Sequence, residues 1–256
     1  MKFTVLGCWA PYQKAGGACS GYLLQSENTN VLLDCGNGVF ANLQRYINFR
    51  HLDAVIISHF HPDHYLDLFC LRHAVMGATR DGSRRGLLPL YIPGTPEKIY
   101  QQLNRYADVF QIFKIEPGNS IVIKDLVFRF IRTEHALETY GLTAAEGNLK
   151  FGYTADTRYF PGLVDFFRGC NLLVAEASVL EQDKKYAEIG HLTVRQAAQL
   201  ANETGTSRLV LTHFWPEYDP VRIRAEALAV FDRVELAGEG KVFTIENTKE
   251  ENAQMK

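Results

Sequence analysis

The sequence predicts an α+β chain in which a β core carries helices on its outside. Three observations lead there. Short runs rich in Val, Leu and aromatic residues, bounded by Gly and Asn, recur in both halves and are joined mostly by short turns. Helical patterns interrupt or follow these runs and alternate with them more regularly in the last third. No Gly-rich phosphate loop opens a helix after the first strand, because Gly16-Gly17 lies within a longer loop, so a parallel dinucleotide-binding sheet fits less well.

In order, residues 2–6, 21–25 and 30–34 are expected as strands, 39–48 as a helix and 53–57 as a short apolar strand. A helix over 65–76 is stopped by Gly77, and 79–86 form a polar, Arg-rich loop. A strand at 90–92 precedes a helix over 96–106. Strands follow at 112–115, 120–123 and 126–131, separated by Pro117-Gly118 and Lys124-Asp125, and then at 141–145 and 150–154. The last third has helices at 161–167, 193–203 and 221–231 and strands at 172–175, 208–211 and 241–245. Thr193 and Gln196 form a capping box for the second of these helices, and Pro220 opens the third. With no linker, repeat or low-complexity segment, residues 1–256 are expected to be one domain, with 247–256 as a frayed tail.

The chain is long enough to bury a large core, so a metal site is more plausibly chemical than structural. Its formal charge of −2 excludes the basic footprint of an extended nucleic-acid surface. It does not exclude a single phosphate ester in a small cleft. The five cysteines are odd in number and scattered, which suits a reducing compartment. Val5-Leu6-Gly7-Cys8 has the look of a lipoprotein cleavage box, but the apolar run before it is far shorter than the roughly 7–15 residues a signal core needs. No stretch reaches the roughly 20 apolar residues that span a bilayer. The expected location is the cytoplasm, with no membrane partner.

The chemistry is concentrated in Ser58-His59-Phe60-His61-Pro62-Asp63-His64, at the end of a buried strand. Imidazole nitrogen and carboxylate oxygen are the ligands that Zn²⁺ and similar ions favour. Alternate residues of an extended segment point the same way, so His59 and His61 can converge on one ion. Pro62 breaks the extended course and turns Asp63 and His64 toward a second. A chance surface cluster is a poor alternative, since the chain holds only eight histidines.

This His-x-His-x-Asp-His run after an apolar strand resembles the motif of the metallo-β-lactamase superfamily. Leu33-Asp34-Cys35-Gly36, His135 after a strand, Tyr153-Thr154-Ala155-Asp156-Thr157 and Leu211-Thr212-His213-Phe214 resemble its later motifs, with Ala155 in a position where the family carries Gly. Gly190-His191-Leu192-Thr193 resembles the His motif of the tRNase Z and phosphodiesterase subgroup. The resemblance implies a four-layer αββα sandwich, two mixed β-sheets packed together with helices on the outer faces. It implies one metal on His59, His61 and His135, a second on Asp63, His64 and His213, and Asp156 bridging them. Zn²⁺ is the expected ion, with Mn²⁺ and Fe²⁺ as alternatives, and a bridging hydroxide is the implied nucleophile. Asp63 and His191 are the implied catalytic residues, the first holding or deprotonating the nucleophile and the second steadying the scissile phosphate or protonating the leaving oxygen. Relatives often form homodimers.

The expected function is therefore that of a metal-dependent phosphodiesterase acting on a small or short nucleic-acid phosphodiester, such as a cyclic nucleotide or an RNA end. Only 21 positions separate His135 from Asp156, which leaves no room for the arm that grips tRNA in that subgroup. Hydrolysis of a thioester, lactone or sulfate ester is the alternative, and a non-catalytic metal-binding protein a third reading. Asp67 and Asp34 are each either orienting carboxylates for a ligand or local capping and turn residues. Tyr140, Glu176, Ser178 and Tyr186 are candidates to line a cleft. Arg80, Arg84 and Arg85 are either an anion contact or a solvated loop. His51 and His73 are read as structural.

Overall fold

The computed structural model describes residues 1–247, so the expected frayed tail lies outside the described residues except for Asn247. The strands of the first half are β1 (Lys2–Gly7), β2 (Gly21–Gln25), β3 (Asn30–Leu33), β4 (Ala54–Ile56), β5 (Leu88–Ile92) and β6 (Phe110–Lys114). Those of the second are β7 (Ser120–Ile123), β8 (Leu126–Arg132), β9 (Tyr140–Glu146), β10 (Leu149–Tyr153), β11 (Leu172–Glu176), β12 (Arg208–Thr212), β13 (Val234–Leu236) and β14 (Val242–Thr244). They form two seven-stranded sheets, ordered β14-β1-β2-β3-β4-β5-β6 and β13-β12-β11-β10-β9-β8-β7. Each sheet is antiparallel over its first or last four strands and parallel over the rest, with β3 and β10 at the change.

The alternation of side chains across a strand builds the layers. Tyr22 and Leu24 of β2, Val31 and Leu33 of β3, and Ala54 and Ile56 of β4 face a core shared with Phe128, Leu142 and Phe151 of the second sheet. Leu23, Leu32 and Val55, one residue out of phase, face a separate core beneath α1 (Val39–Leu43), α3 (Leu68–Arg80) and α4 (Glu97–Asn104). On the far side, α5 (Gly162–Phe167), α6 (Val194–Glu203) and α7 (Pro220–Leu228) cover the second sheet. The result is the metallo-β-lactamase fold, helices, sheet, sheet, helices. The expected capping box on α6 is present, with Thr193 Oγ1 accepting from Gln196 N at 3.1 Å.

Several boundaries differ from expectation for local reasons. The helix expected over 39–48 ends at Leu43. Farther on, Asn48 uses its side chain to accept from Arg50 N at 3.1 Å and caps a separate 3₁₀ turn, Phe49–His51. The helix expected over 65–76 is instead two, α2 (Pro62–Tyr65), whose first helical φ Pro62 presets, and α3, which runs through Gly77 to Arg80. Asp63 and His64 therefore sit on a helical turn. The three-residue edge strand β13 and the 3₁₀ segment Glu181–Ile189 carry too few periodic residues to be read from the sequence.

Candidate metal centre

Every predicted ligand lies at one edge of the sandwich, beyond the C-terminal ends of strands. His59 follows β4, His135 follows β8, Asp156 follows β10 and His213 follows β12, while α2 presents Asp63 and His64. Three hydrogen bonds tie the sheets together there: Tyr153 OH donates to Asp34 Oδ2 at 2.7 Å, Tyr140 N to Ser58 O at 3.0 Å, and Tyr22 OH shares a bond with Thr212 Oγ1 at 2.7 Å. Asp34, Ala155 and His213 adopt left-handed backbone, with φ of 55°, 51° and 61°. Such a conformation is costly for a side chain with Cβ, and its clustering here marks strain held by the surrounding structure. It also supplies the reason for a Gly preference at the Ala155 position.

The donors form three overlapping groups, one of them Asp156, His191 and His213, and the other two divide the predicted ligands. His59, His61, His135 and Asp156 form one, and Asp63, His64 and His213 the other. In the first, His61 Nδ1 stands 3.0 Å from both His59 Nε2 and His135 Nε2, and Asp156 Oδ2 is 3.5 Å from His59 Nε2. In the second, His64 Nε2 and His213 Nε2 are 3.1 Å apart, and Asp63 Oδ2 is 3.5 Å from each. Asp156 turns its other oxygen to this group, with Oδ1 3.2 Å from His213 Nε2 and 3.5 Å from His64 Nε2. One carboxylate thus faces both groups with separate atoms.

The far side of most rings is occupied. His135 Nδ1 donates to the Gly190 carbonyl at 2.8 Å, which leaves Nε2 as a bare lone pair. His64 Nδ1 donates to Asp34 Oδ2 at 2.8 Å, and the same carboxylate accepts from Ser58 N at 2.7 Å and Ser58 Oγ at 2.8 Å. His213 Nδ1 meets Ser178 Oγ at 2.7 Å, and Ser178 donates onward to Glu176 Oε2 at 2.5 Å. These contacts orient the imidazoles as outer partners of metal ligands do.

The residues present fit two divalent ions. Inward-facing lone pairs about 3 Å apart repel one another unless a cation lies between them. Ligands about 2.0–2.1 Å from a tetrahedral Zn²⁺ lie roughly 3.3 Å from each other, which is the spacing found. Asp156 Oδ1 is buried and accepts no hydrogen bond of good geometry, as an atom reserved for an ion would be. The charges agree. Burial works against ionisation of Asp156, but His213, His64 and His59 hold its carboxyl well below the usual range. Burial likewise opposes charge on His64, and Asp156, Asp63 and Asp34 outweigh it, pushing this imidazole up to about 9.

His191 lies beside both groups at the N-terminal side of α6. Its Nδ1 is 3.1 Å from both oxygens of Glu176 and 3.9 Å from Asp156 Oδ2. Glu176 is itself fixed by Thr157 N at 2.7 Å. Burial lowers the His191 pKa, but Glu176 and then Asp156 raise it, and the net shift is upward. A cavity of about 430 Å³ opens over the centre, lined by His61, Asp63, Asp156, His191 and His213 below and by Pro11, Val179, Tyr186, Ile189 and Trp215 at the rim. No Lys or Arg is among its described lining residues.

Of the weaker candidates, Asp34 orients His64, whereas Asp67 makes no capping bond to its own helix and instead accepts from Phe40 N of α1 at 2.9 Å. Ser178 and Tyr186 line the cavity, Glu176 stands behind His191, and Tyr140 bonds Glu138 instead. His51 and His73 are exposed and outside the cluster. Sequence reasoning missed Trp215, Ile189 and the Gly190 carbonyl, since nothing in their local pattern announces a rim or an outer partner.

Gly36 is needed for close approach. A Cβ there would stand 2.0 Å from the Asp63 carbonyl oxygen and 2.9 Å from Cys19 Cβ. Gly36→Ala should therefore push α2 outward, costing about 3 kcal/mol by overpacking. Thermal melts of the metal-loaded protein should fall by roughly 6–12 °C, and an unchanged melt would show that α2 has slack.

Comparison with known proteins agrees with this geometry. The beta-lactamase superfamily domain matches residues 29–214. The chain is similar to the probable metallo-hydrolase YhfI of Bacillus subtilis, 31% identical over 245 residues, 95% of this chain and 99% of the relative. The crystal structure of that metallo-beta-lactamase fold protein superposes with a TM-score of 0.90 over 94% of this chain and 98% of the other. A ribonuclease Z of Methanopyrus kandleri is 26% identical over 257 positions, 86% of this chain and 89% of the relative. The short form of human tRNase Z, 22% identical, shares the fold with a TM-score of 0.77 over 96% of this chain and 100% of its own. The match across residues 29–214 and a relative 31% identical along nearly its whole length place this chain in the beta-lactamase superfamily.

Proposed function

We propose that this chain is a metal-dependent hydrolase of small phosphodiesters, with His59, His61 and His135 at one ion, Asp63, His64 and His213 at the other, and Asp156 between them. Zn²⁺ is the first choice of ion, because imidazole and carboxylate donors at this spacing suit it, and Mn²⁺ or Fe²⁺ satisfies the same donors. Ions held there would supply a water activated near neutral pH and a positive clamp on the attacked centre. Asp63 lines the cavity floor and can orient the nucleophile or take its proton. The observation that carries the phosphodiester reading is His191. Glu176 holds its Nδ1 and favours its protonated form, which leaves Nε2 to donate to the leaving oxygen. The ribonuclease Z relative supports the same substrate class.

The cavity suits a small substrate with a single charge, such as a cyclic nucleotide or an RNA end, because it lacks cations to neutralise further phosphates. That same lack favours one second reading, hydrolysis of an uncharged thioester or lactone. A panel of bis-p-nitrophenyl phosphate, short RNA, thioesters, lactones and sulfate esters, run with Zn²⁺ and Mn²⁺, separates the two. Turnover of the phosphodiesters is expected. Turnover confined to the other esters would replace the first reading by the second. We place the protein in the cytoplasm, in keeping with five cysteines that form no disulfide and the absence, among the described residues, of a helix long and apolar enough to cross a membrane.

A further inference from the structure

We propose that the cavity framed by Arg50, Arg84, Arg85 and Lys124 is a second binding site, specific for a small phosphate-bearing anion. It has a volume of about 450 Å³ and also borders Asn30 and Asp53. Asn30 opens β3 and Asp53 directly precedes β4, whereas Asp34 and His59 follow the other ends of the same two parallel strands. The cavity therefore lies at the opposite end of the sheet from the metal centre.

Its cations are held in place by their neighbours. Arg50 stacks on the Phe49 ring, 4.7 Å from its centroid, and donates through Nε to Ser83 Oγ at 2.7 Å. Arg84 donates through Nη1 to the Arg50 carbonyl at 2.6 Å. Arg84 Nε is buried and has no hydrogen-bond partner. A phosphate oxygen is an acceptor that the planar guanidinium fork of Arg84 matches where this side chain lines the cavity. Burial lowers the Arg84 pKa, and Asp53 partly offsets this. Arg85 is exposed at the cavity mouth.

The one carboxylate lining the cavity does not compete. Asp53 Oδ1 is taken by Lys124 Nζ at 2.7 Å, and Oδ2 accepts from Asn30 N at 2.9 Å. Lys124 is paired with Asp53, and Arg50 lies 3.9 Å from Asp81, so Arg84 and Arg85 carry the excess positive charge of this cavity in a chain whose formal charge is −2. The surface is small and concave, which suits a phosphate or pyrophosphate group better than a polymer backbone.

Phenylglyoxal modification, mapped by mass spectrometry on the metal-loaded protein at constant ionic strength, tests the site without interference from anions bound at the metals. Pyrophosphate should slow modification of Arg84 and Arg85 while leaving exposed Arg45 and Arg105 unchanged. Inorganic phosphate and AMP, as separate arms, distinguish a free phosphate from one carried on an organic group. Arg85→Gln alters only an exposed side chain and should raise the pyrophosphate concentration for half-protection of Arg84 by about tenfold. Arg84→Gln should do the same for Arg85. Equal modification rates with pyrophosphate and chloride, or an Arg85→Gln protein that titrates like the parent, would overturn the proposal. So would stronger protection by a single-stranded oligonucleotide than by every small anion.

Discussion

Asp156→Asn should reduce the purified protein to at most one divalent ion per chain and lower phosphodiester turnover by about 10³-fold. The side chain keeps its size and one carbonyl oxygen, so the fold is expected to survive. What disappears is the charge and one of two oxygens that face opposite groups, Oδ2 toward His59 and His135 and Oδ1 toward His64 and His213. Without that charge the second group keeps only Asp63 as an anion. An amide nitrogen on one side would also direct N–H groups at a cluster built of lone pairs. Elemental analysis after gel filtration counts the ions, and circular dichroism verifies the fold. Two ions per chain with near-parental turnover would remove Asp156 from the role of bridge.

His191→Ala should lower cleavage of a phosphodiester with an alkoxide leaving group by about 10²–10³-fold while changing thioester cleavage by less than about tenfold. The difference lies in the leaving group, because an alkoxide departing from phosphorus benefits from a proton more than a thiolate does. The pH profile gives an independent readout. An upward-shifted pKa keeps the imidazole protonated above its ordinary range, and the rate should fall as pH rises through that shifted value. Glu176→Gln removes the carboxylate that raises the pKa, so the falling limb should move to lower pH while its shape is kept. Glu176 also receives the Ser178 hydroxyl that contacts His213, so this variant should be compared at equal metal content. If the limb does not move, His191 is not the group that titrates there.

The ligand run was the most legible part of the chain because its donors are close in sequence and their spacing already matches an extended segment broken by Pro62. The later candidate ligands were legible for a different reason. Each follows an apolar strand, and strand ends are where a rigid element presents a side chain. The choice between orienting and capping roles for Asp34 and Asp67 was not legible, since both are carboxylates near a ligand in sequence. Asp34 reaches His64 only because β3 and β4 lie side by side, while Asp67 turns to the N–H of Phe40. Glu176 and Ser178 were only candidates to line a cleft because their partners, His191 and His213, are distant in sequence.

The sequence by itself determined the candidate donor set, its chemical character and the alternation of strands and helices that implies a sandwich, because these are properties of residue type and short-range spacing. It also showed an Arg-rich loop over residues 79–86. Only the tertiary structure decided which atoms face one another. Closing two sheets at their strand ends brings His135, Asp156, His191 and His213 to the local run, and it gives Asp156 one oxygen for each group of donors. It also carries Arg84 and Arg85 away from that centre to the far end of the same strands. Contacts between residues far apart in sequence depend on strand order, and strand order is set by how the whole apolar surface is buried.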